Sequence, residues 1–149
     1  MTTAALATDV TSRYEVRELR EGSPQIAGFE VRASAQPRHW TPTSGLRIDD
    51  HLALINDTPY ETTSPLLAEG VEHLRHEAWS SSAAPRYPDR DEAAADAARV
   101  ARDAAVGQLT LIHLNPMLPD HATLLDDAQQ HFDRVTLGED KTTLTTATR

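Results

Sequence analysis

The sequence predicts an α/β fold from its strand-like segments, the helices between the later ones, and its length. Short stretches with alternating or continuous apolar side chains predict strands along the chain. After about residue 60, helical patterns alternate with these strands, which gives the order β-β-β-β-α-β-α-β-α-β. A chain of 149 residues with 39% hydrophobic content can bury one modest core. We therefore expect a single domain over residues 1–149.

Four segments before residue 60 have the character of strands: residues 13–19, 28–35, 46–48 and 51–55. The first two form a predicted meander. Residues 36–45 are rich in Pro, Thr and Ser, and they predict a loop that carries His39. The dipeptide Asp49-Asp50 is predicted to form a two-residue hairpin turn. His39 precedes one strand of this hairpin and Asp57 follows the other, so the sequence places both at the same end.

The later part of the chain is predicted to alternate helices with strands. The predicted elements are a short helix of roughly five residues, with Ser64 as its N-cap, Pro65 as its first residue and Gly70 closing it, a strand over 71–78, a helix over about 91–105, a strand over 109–112, a helix that Asp120 caps and that runs to about Phe132, and a closing strand or hairpin within 134–144. Asp89 and Glu92 match a capping box at the start of the second helix. A stripe of small side chains on that helix should pack on a sheet, whereas Asp96 belongs to the opposite, polar side. The stripe consists of Ala94, Ala97, Ala98, Val100, Ala101, Ala104 and Ala105.

The composition excludes several classes of protein. The chain has no cysteine, which rules out disulfides, thiolate metal sites and a cysteine nucleophile. Its 23 acidic and 14 basic residues give a net charge of −9, which disfavours nucleic acid as a partner. No segment has the roughly 18 apolar residues of a membrane span, and the first residues lack the pattern of a signal peptide. These features predict a cytoplasmic protein without membrane contact, in which any metal is held by His, Asp or Glu.

Three side chains that can bind metals stand at the edges of predicted strands. They are His39 in its loop, Asp57 after strand 51–55, and His113 after strand 109–112. Imidazole and carboxylate groups suit Zn, Mn or Fe, and a carboxylate can bridge two ions. A structural interpretation also exists, because a strand-end Asp often caps the next turn and a His after a buried strand is often hydrogen-bonded in the core. Spacing alone leaves both interpretations open.

Four stretches of the chain, in order, resemble motifs in the second half of metallo-β-lactamase-fold hydrolases, in the branch that contains ribonuclease Z. They are HWTPTSGLRI, LALINDT, SPLLAEGVEHLRHEAW and LTLIHLNP. His39 holds the place of the histidine in the family's His-Pro-Val-Pro loop, and Asp57 that of the aspartate in its Gly-Asp-Thr motif. Residues 76–79 match the His-Glu-Ala-Thr loop, and His113 matches the last metal histidine. The similarity extends from about residue 13 to residue 137.

The resemblance implies half of an αββα sandwich, with a mixed sheet and helices on one face. It implies that His39 binds one divalent ion, that Asp57 bridges two ions and takes part in catalysis, and that His113 binds the second ion. Zinc is the expected metal. Two such ions activate a water for hydrolysis of a phosphodiester, an ester or a lactone. The implied function is therefore a metal-dependent hydrolase of a small-molecule or phosphodiester substrate.

The chain also departs from the family. The principal metal motif, His-x-His-x-Asp-His, belongs to the first half of the fold and does not occur in this sequence. The simplest interpretation is a C-terminal half: a truncated product, a subunit that complements a separate N-terminal chain, or a degenerate remnant. Such a half should be nearly inactive alone. Its uncovered sheet face predicts a homodimer or a complex with an N-terminal half chain.

A second departure concerns Glu77, which is predicted to be catalytic by its place in the motif. In the family this glutamate orients a catalytic histidine, but the aligned position here is Asp91. Glu77 is thus predicted to face an acid instead of an imidazole. His76 is expected to have a core or supporting role. Trp40 and Trp79 either wall a substrate pocket or serve packing.

Two other interpretations of the whole chain remain. It can be a non-catalytic interaction module that keeps the half-fold, or an independent small α/β domain whose likeness to the family is coincidental. Replacing His39, Asp57 and His113 by Ala separates the module from the enzyme, because a module would still assemble and would lose no activity.

Overall fold

A computed structural model describes residues 24–38, 41–81, 93–143 and 145. Several predictions fall outside these ranges and are not tested here: the strand over residues 13–19, the positions of His39 and Trp40, and the Asp89 and Glu92 capping box.

The described elements follow the predicted order of strands and helices. The strands are β1 (Gln25–Ile26), β2 (Phe29–Gln36), β3 (Thr43–Ile48), β4 (Leu52–Ile55), β5 (His73–Glu77), β6 (Gln108–Ile112) and β7 (Val135–Leu137). The helices are α1 (Thr63–Ala68), α2 (Ala94–Asp103) and α3 (Ala122–Gln129). The first described strand, β1, was not predicted from the sequence. The strand predicted over residues 13–19 lies outside the described part of the chain.

The described strands form one mixed sheet whose spatial order is the same as the sequence order. Neighbours from β1 to β4 are antiparallel and are joined by residues 27–28, 37–42 and 49–51, whereas neighbours from β4 to β7 are parallel because each connection runs through a helix. The turn between β3 and β4 is one residue longer than predicted, since Ile48 pairs with Leu52. Its first residue, Asp49, has a φ of 47° and accepts a hydrogen bond from the Glu30 amide through its carboxylate.

The helices lie together on one face of the sheet, as predicted. Helix α2 packs against both α1 and α3, and right-handed crossovers between successive parallel strands place their helices on the same side. Alternate strand residues point to this side and are buried with the small side chains of α2, as in β4 with Ala53 and Ile55 and in β6 with Leu109 and Leu111. The hydrophobic core therefore fills the space between one sheet face and one layer of helices.

Helix α2 confirms most of the predicted stripe. It corrects the predicted start of the helix, the placement of Asp96 and the last residue of the stripe, Ala105. The helix begins at Ala94, and the amide of Ala95 donates to the carboxylate of Asp127 in α3 at 3.3 Å. Asp96, predicted on the polar side, is buried and paired with Arg99. Ala105 is exposed because it has already left the helix with a φ of 52°.

The C-terminus of α2 forms a Schellman motif. The amide of Val106 donates to the carbonyl of Ala101, and the amide of Ala105 donates to the carbonyl of Arg102. This motif requires a left-handed residue just beyond the helix, and Ala105 fills that position although glycine is the residue that favours it.

Helix α1 is held to the sheet by polar contacts at both ends. Its first turn includes Ser64, whose hydroxyl donates to the Gln36 side chain instead of capping the helix as predicted. At the other end, the buried guanidinium of Arg47 donates to the carbonyls of Leu67 and Glu69. These contacts fix α1, and with it the loop that precedes it, over β3 and β4.

The sheet face opposite the helices has an apolar half and a polar half. On strands β2 to β4 the register brings together a partly buried apolar patch of Val31, Ala33, Leu46, Ile48, Leu52 and Leu54. On strands β5 to β7 the neighbouring residues Arg75, Thr110 and Thr136 form a polar row. Among the described residues, no helix has the length and apolar character to cross a membrane.

Candidate metal centre

Three adjacent parallel strands end at the same edge of the sheet, and each presents a potential ligand there. Asp57 follows β4 after one intervening residue, Glu77 is the last residue of β5, and His113 comes directly after β6. The register pairs Glu77 with Ile112, so His113 lies one step beyond it. Because carboxyl ends of parallel strands share an edge, residues 57, 77 and 113 meet despite their separation in sequence.

The three side chains form a compact cluster. The Nδ1 atom of His113 lies 3.0 Å from Oε2 of Glu77 and 3.3 Å from Oδ1 of Asp57. One ligand atom from each residue lies within 4.8 Å of the other two. The side chain of Glu77 is 1% exposed, whereas those of His113 and Asp57 are 48% and 39% exposed. Glu77 thus forms the buried side of the cluster, and Asp57 and His113 form its solvent-exposed side.

Asp57 and His113 share an uncommon backbone conformation. Their φ angles are 53° and 50°, in the left-handed region that few non-glycine residues adopt, although Asp and His are enriched there. The other non-glycine residues with positive φ in the described part of the chain are Ala27, Asp49, Ala105 and Lys141. In Asp57 and His113 the left-handed step turns each side chain back toward Glu77 as soon as its strand has ended. Backbone strain of this kind concentrates at functional sites.

Glu77 is held from its buried side by the loop that follows Asp57. The amide of Thr58 donates to Oε1 of Glu77 at 2.5 Å, which leaves Oε2 facing His113. The Thr58 hydroxyl donates to Glu61, which also accepts from the amide of Arg38. Thr58 therefore positions the Glu77 carboxylate, and Glu61 holds Thr58. This role was not predicted from the sequence, although a hydroxyl followed three residues later by an acid is a recognisable local signal.

Two neighbouring rings support the cluster. The indole of Trp79 meets the imidazole of His113 edge to face, with centroids 5.3 Å apart and an interplanar angle of 60°, so Trp79 packs against the cluster. His76 is buried on the helix side of β5, where its Nδ1 donates to the carbonyl of Glu77 at 2.9 Å. Burial lowers the pKa of His76 to about 4, so its ring is neutral at ordinary pH. His76 has the core role predicted for it.

The cluster fits a divalent cation. Two carboxylates and one imidazole form a donor set typical of Zn, Mn or Fe sites. Tetrahedral ligands bound at about 2.0–2.1 Å are roughly 3.3 Å apart, which is close to the distances from His113 to Glu77 and Asp57.

The structure confirms that Asp57 and His113 meet, and it corrects one expectation for Glu77. Glu77 was predicted to face an acid, Asp91, and to lack an imidazole. The absence of an imidazole is the part of this prediction that is wrong, because the register of β5 and β6 brings the imidazole of His113 to Glu77 at 3.0 Å. His39, the remaining predicted ligand, and Asp91 lie outside the described residues.

Comparison with known proteins identifies the fold. No protein-family model and no curated protein sequence matches the chain. The metallo-β-lactamase-fold protein YhfI from Bacillus subtilis has a similar structure, with a TM-score of 0.73 and 17% sequence identity. The fold is that of the metallo-β-lactamase proteins. The alignment covers 91% of this chain and 59% of YhfI. A new diphosphatase of the PhnP family is also similar, with a TM-score of 0.65, 14% identity, and coverage of 91% and 50%.

These comparisons confirm the predicted fold class. The chain spans between half and three fifths of the length of the two metallo-β-lactamase-fold proteins that it matches. TM-scores of 0.73 and 0.65 establish a common fold despite the low sequence identities, and within this fold the candidate metal centre occupies the carboxyl ends of strands β4 to β6.

Proposed function

We propose that the protein is a metal-dependent hydrolase whose described residues Asp57, Glu77 and His113 hold a divalent cation. The cluster itself carries this proposal, since two carboxylates and an imidazole converge at a strand edge with spacings that match cation coordination. The likeness to a metallo-β-lactamase-fold protein and to a PhnP-family diphosphatase supports it.

Each member of the cluster has a distinct part in the proposed chemistry. Glu77, fixed by the Thr58 amide, is a rigid donor at the buried side. Asp57, which is 39% exposed, has an oxygen available to a second ion or to a water proton. His113 is held in place by contact with Trp79. When bound, a divalent ion supplies Lewis acidity and a source of hydroxide near neutral pH.

We further propose that His39 completes the ligand set and that zinc is the physiological ion, with two ions bound when the set is complete. Three protein donors suffice for one tetrahedral ion with an open position, and a second ion needs more. The proposed substrate is a phosphodiester, an ester or a lactone.

The apolar patch on the open sheet face supports a partner. Leu46, Ile48, Leu52 and Leu54 lie side by side on adjacent strands and are only partly buried. Exposed apolar patches of this kind mark association surfaces. We propose that a second copy or an N-terminal half chain packs there. The same patch favours the second candidate function, a non-catalytic interaction module.

Metal binding tests the first proposal directly. Zn²⁺ and Mn²⁺ are titrated into metal-stripped protein by calorimetry, and metal content is measured by elemental analysis. Asp57→Asn, Glu77→Gln and His113→Asn should each weaken binding by about tenfold or more, because each removes one charge or donor. Asp126→Asn, an exposed carboxylate on α3, is the matched control and should bind as the wild type does.

Turnover and assembly then separate enzyme from module. Zinc-loaded protein, alone and with a chain that supplies a His-x-His-x-Asp-His motif, is assayed on bis(p-nitrophenyl) phosphate, a p-nitrophenyl ester and a lactone. Hydrolysis that the three cluster variants abolish supports the enzyme. If the wild type binds neither ion more tightly than the three cluster variants do, and if these variants have the same oligomeric state as the wild type, the protein is a module.

A further inference from the structure

A cavity of about 710 Å³ adjoins the candidate metal centre on the open face of the sheet. His113 lies in its wall, so the cavity and the cluster share a side chain. The floor is the polar row of Arg75, Thr110 and Thr136, which come from three adjacent strands. A ligand that reacts at the cluster has room to extend across this floor.

The guanidinium of Arg75 is partly buried and has a donor without a partner. Its Nε atom is buried and has no hydrogen-bond partner, and none of the ion pairs found among the described residues includes Arg75. A buried donor without a partner is costly, and more so when the group is charged. By contrast, Arg47 on the opposite face of the same sheet binds two carbonyls and the Asp50 carboxylate. Arg75 is therefore a partly buried cation with a hydrogen-bond donor available to a ligand.

The neighbours of Arg75 favour an anion with several oxygens. The Thr110 and Thr136 hydroxyls are 3.3 Å apart and stand beside Arg75 in register. The Thr136 hydroxyl also donates to the Leu109 carbonyl at 3.5 Å, so a ligand would recruit these hydroxyls by turning them away from two long hydrogen bonds. A guanidinium can donate two parallel bonds to one phosphate or carboxylate. A tetrahedral phosphoryl group has enough acceptor oxygens for all of these donors, whereas a planar carboxylate has two.

The acidic residues of the cavity lie on its rim. Glu139 and Asp140 are exposed, as is Lys141 beside them, so water screens these charges. Arg75 is partly buried on the floor, where screening is weaker and its attraction for an anion correspondingly stronger.

We propose that Arg75, with the hydroxyls of Thr110 and Thr136, binds a phosphoryl group of the substrate and so selects phosphate esters over neutral esters. This inference rests on the proposed hydrolase function and names its substrate class. Arg75 and Glu77 are two residues apart on one strand and point to the same face, which separates them by roughly 7 Å along the strand. A phosphoryl group bound to Arg75 thus lies close enough to the cluster for an ester bond of the same substrate to reach it.

Binding to metal-free protein tests the subsite without turnover. Inorganic phosphate and bis(p-nitrophenyl) phosphate are titrated by calorimetry in the presence of EDTA. Arg75→Met should weaken binding of both roughly 10- to 100-fold, the worth of a charge-assisted hydrogen bond, and Arg75→Lys should lie between. Arg32→Met removes an equal charge from an exposed site on β2 and should leave binding unchanged. Equal binding by wild type and Arg75→Met overturns the proposal.

Two further comparisons separate a substrate site from a site for free phosphate. If inorganic phosphate binds through Arg75 but the diester does not, the substrate role is refuted. In zinc-loaded protein, Arg75→Met should raise KM for the diester and leave hydrolysis of p-nitrophenyl acetate unchanged, and an equal effect on both esters refutes selection. If the diester binds through Arg75 but is not hydrolysed, the phosphoryl subsite is supported and the proposed hydrolase function is refuted.

Discussion

The buried imidazole of His76 makes a quantitative prediction about stability in acid. An ordinary histidine has a pKa near 6.5, and burial lowers the pKa of His76 to about 4 in the folded protein. Between these two pH values His76 binds a proton in the unfolded chain but stays neutral in the folded protein. Stability is therefore intact above pH 6.5, falls as the pH drops toward 4, and loses nothing further from this group below that.

The size of the effect follows from the two pKa values. A difference of about 2.5 pH units at roughly 1.4 kcal/mol per unit corresponds to about 3 kcal/mol of unfolding free energy. His76→Asn removes the titrating ring and keeps a side-chain N–H near the Glu77 carbonyl. Lost packing lowers the stability of this variant by an amount that does not depend on pH, so the pH profile isolates the ionisation.

The assay is urea unfolding of wild type and His76→Asn in EDTA at several pH values from 7 to 4. The other titrating groups are the same in both proteins, so their contributions cancel in the difference. The wild type should lose about 3 kcal/mol more than the variant over this interval. Parallel stability profiles would refute the inference that His76 is neutral and desolvated in the folded state.

Three further substitutions test contacts elsewhere in the fold. Arg47→Met removes the donors to the Leu67 and Glu69 carbonyls and should lower the unfolding free energy by about 1–3 kcal/mol in urea, whereas Arg32→Met should change it little. Gly107→Ala should destabilise by about 1–3 kcal/mol in thermal unfolding, because the new Cβ would stand 2.5 Å from the Glu72 carbonyl oxygen. Ala105→Gly should instead stabilise by up to about 1 kcal/mol by relieving a positive φ, and a lower melting temperature would contradict this.

The element order could be predicted because local patterns determine it. Alternation and short apolar runs mark strands β2 to β6, and the small stripe of α2 marks a helix packed on a sheet. The same logic located Asp57 and His113, since a polar residue after a buried strand must emerge at the sheet edge.

What could not be predicted depends on contacts between distant segments. The buried position of Asp96 and the capping of α2 by Asp127 arise because α3 packs beside the start of α2. The encounter of Glu77 with His113 depends on the register of β5 and β6, which no local pattern fixes. The role of Arg75 likewise emerges only when three strands stand side by side.

The agreement between spatial and sequential strand order bears on how the protein is made. Each strand can dock on the one synthesised just before it, so the sheet can grow outward during translation without waiting for a distant segment. All three members of the candidate metal centre have left the ribosome once residue 113 has emerged, while α3 and β7 are still in the exit tunnel. A nascent chain stalled a few tens of residues after β6 could therefore already capture an ion, and the ion would then favour completion of the remaining layer.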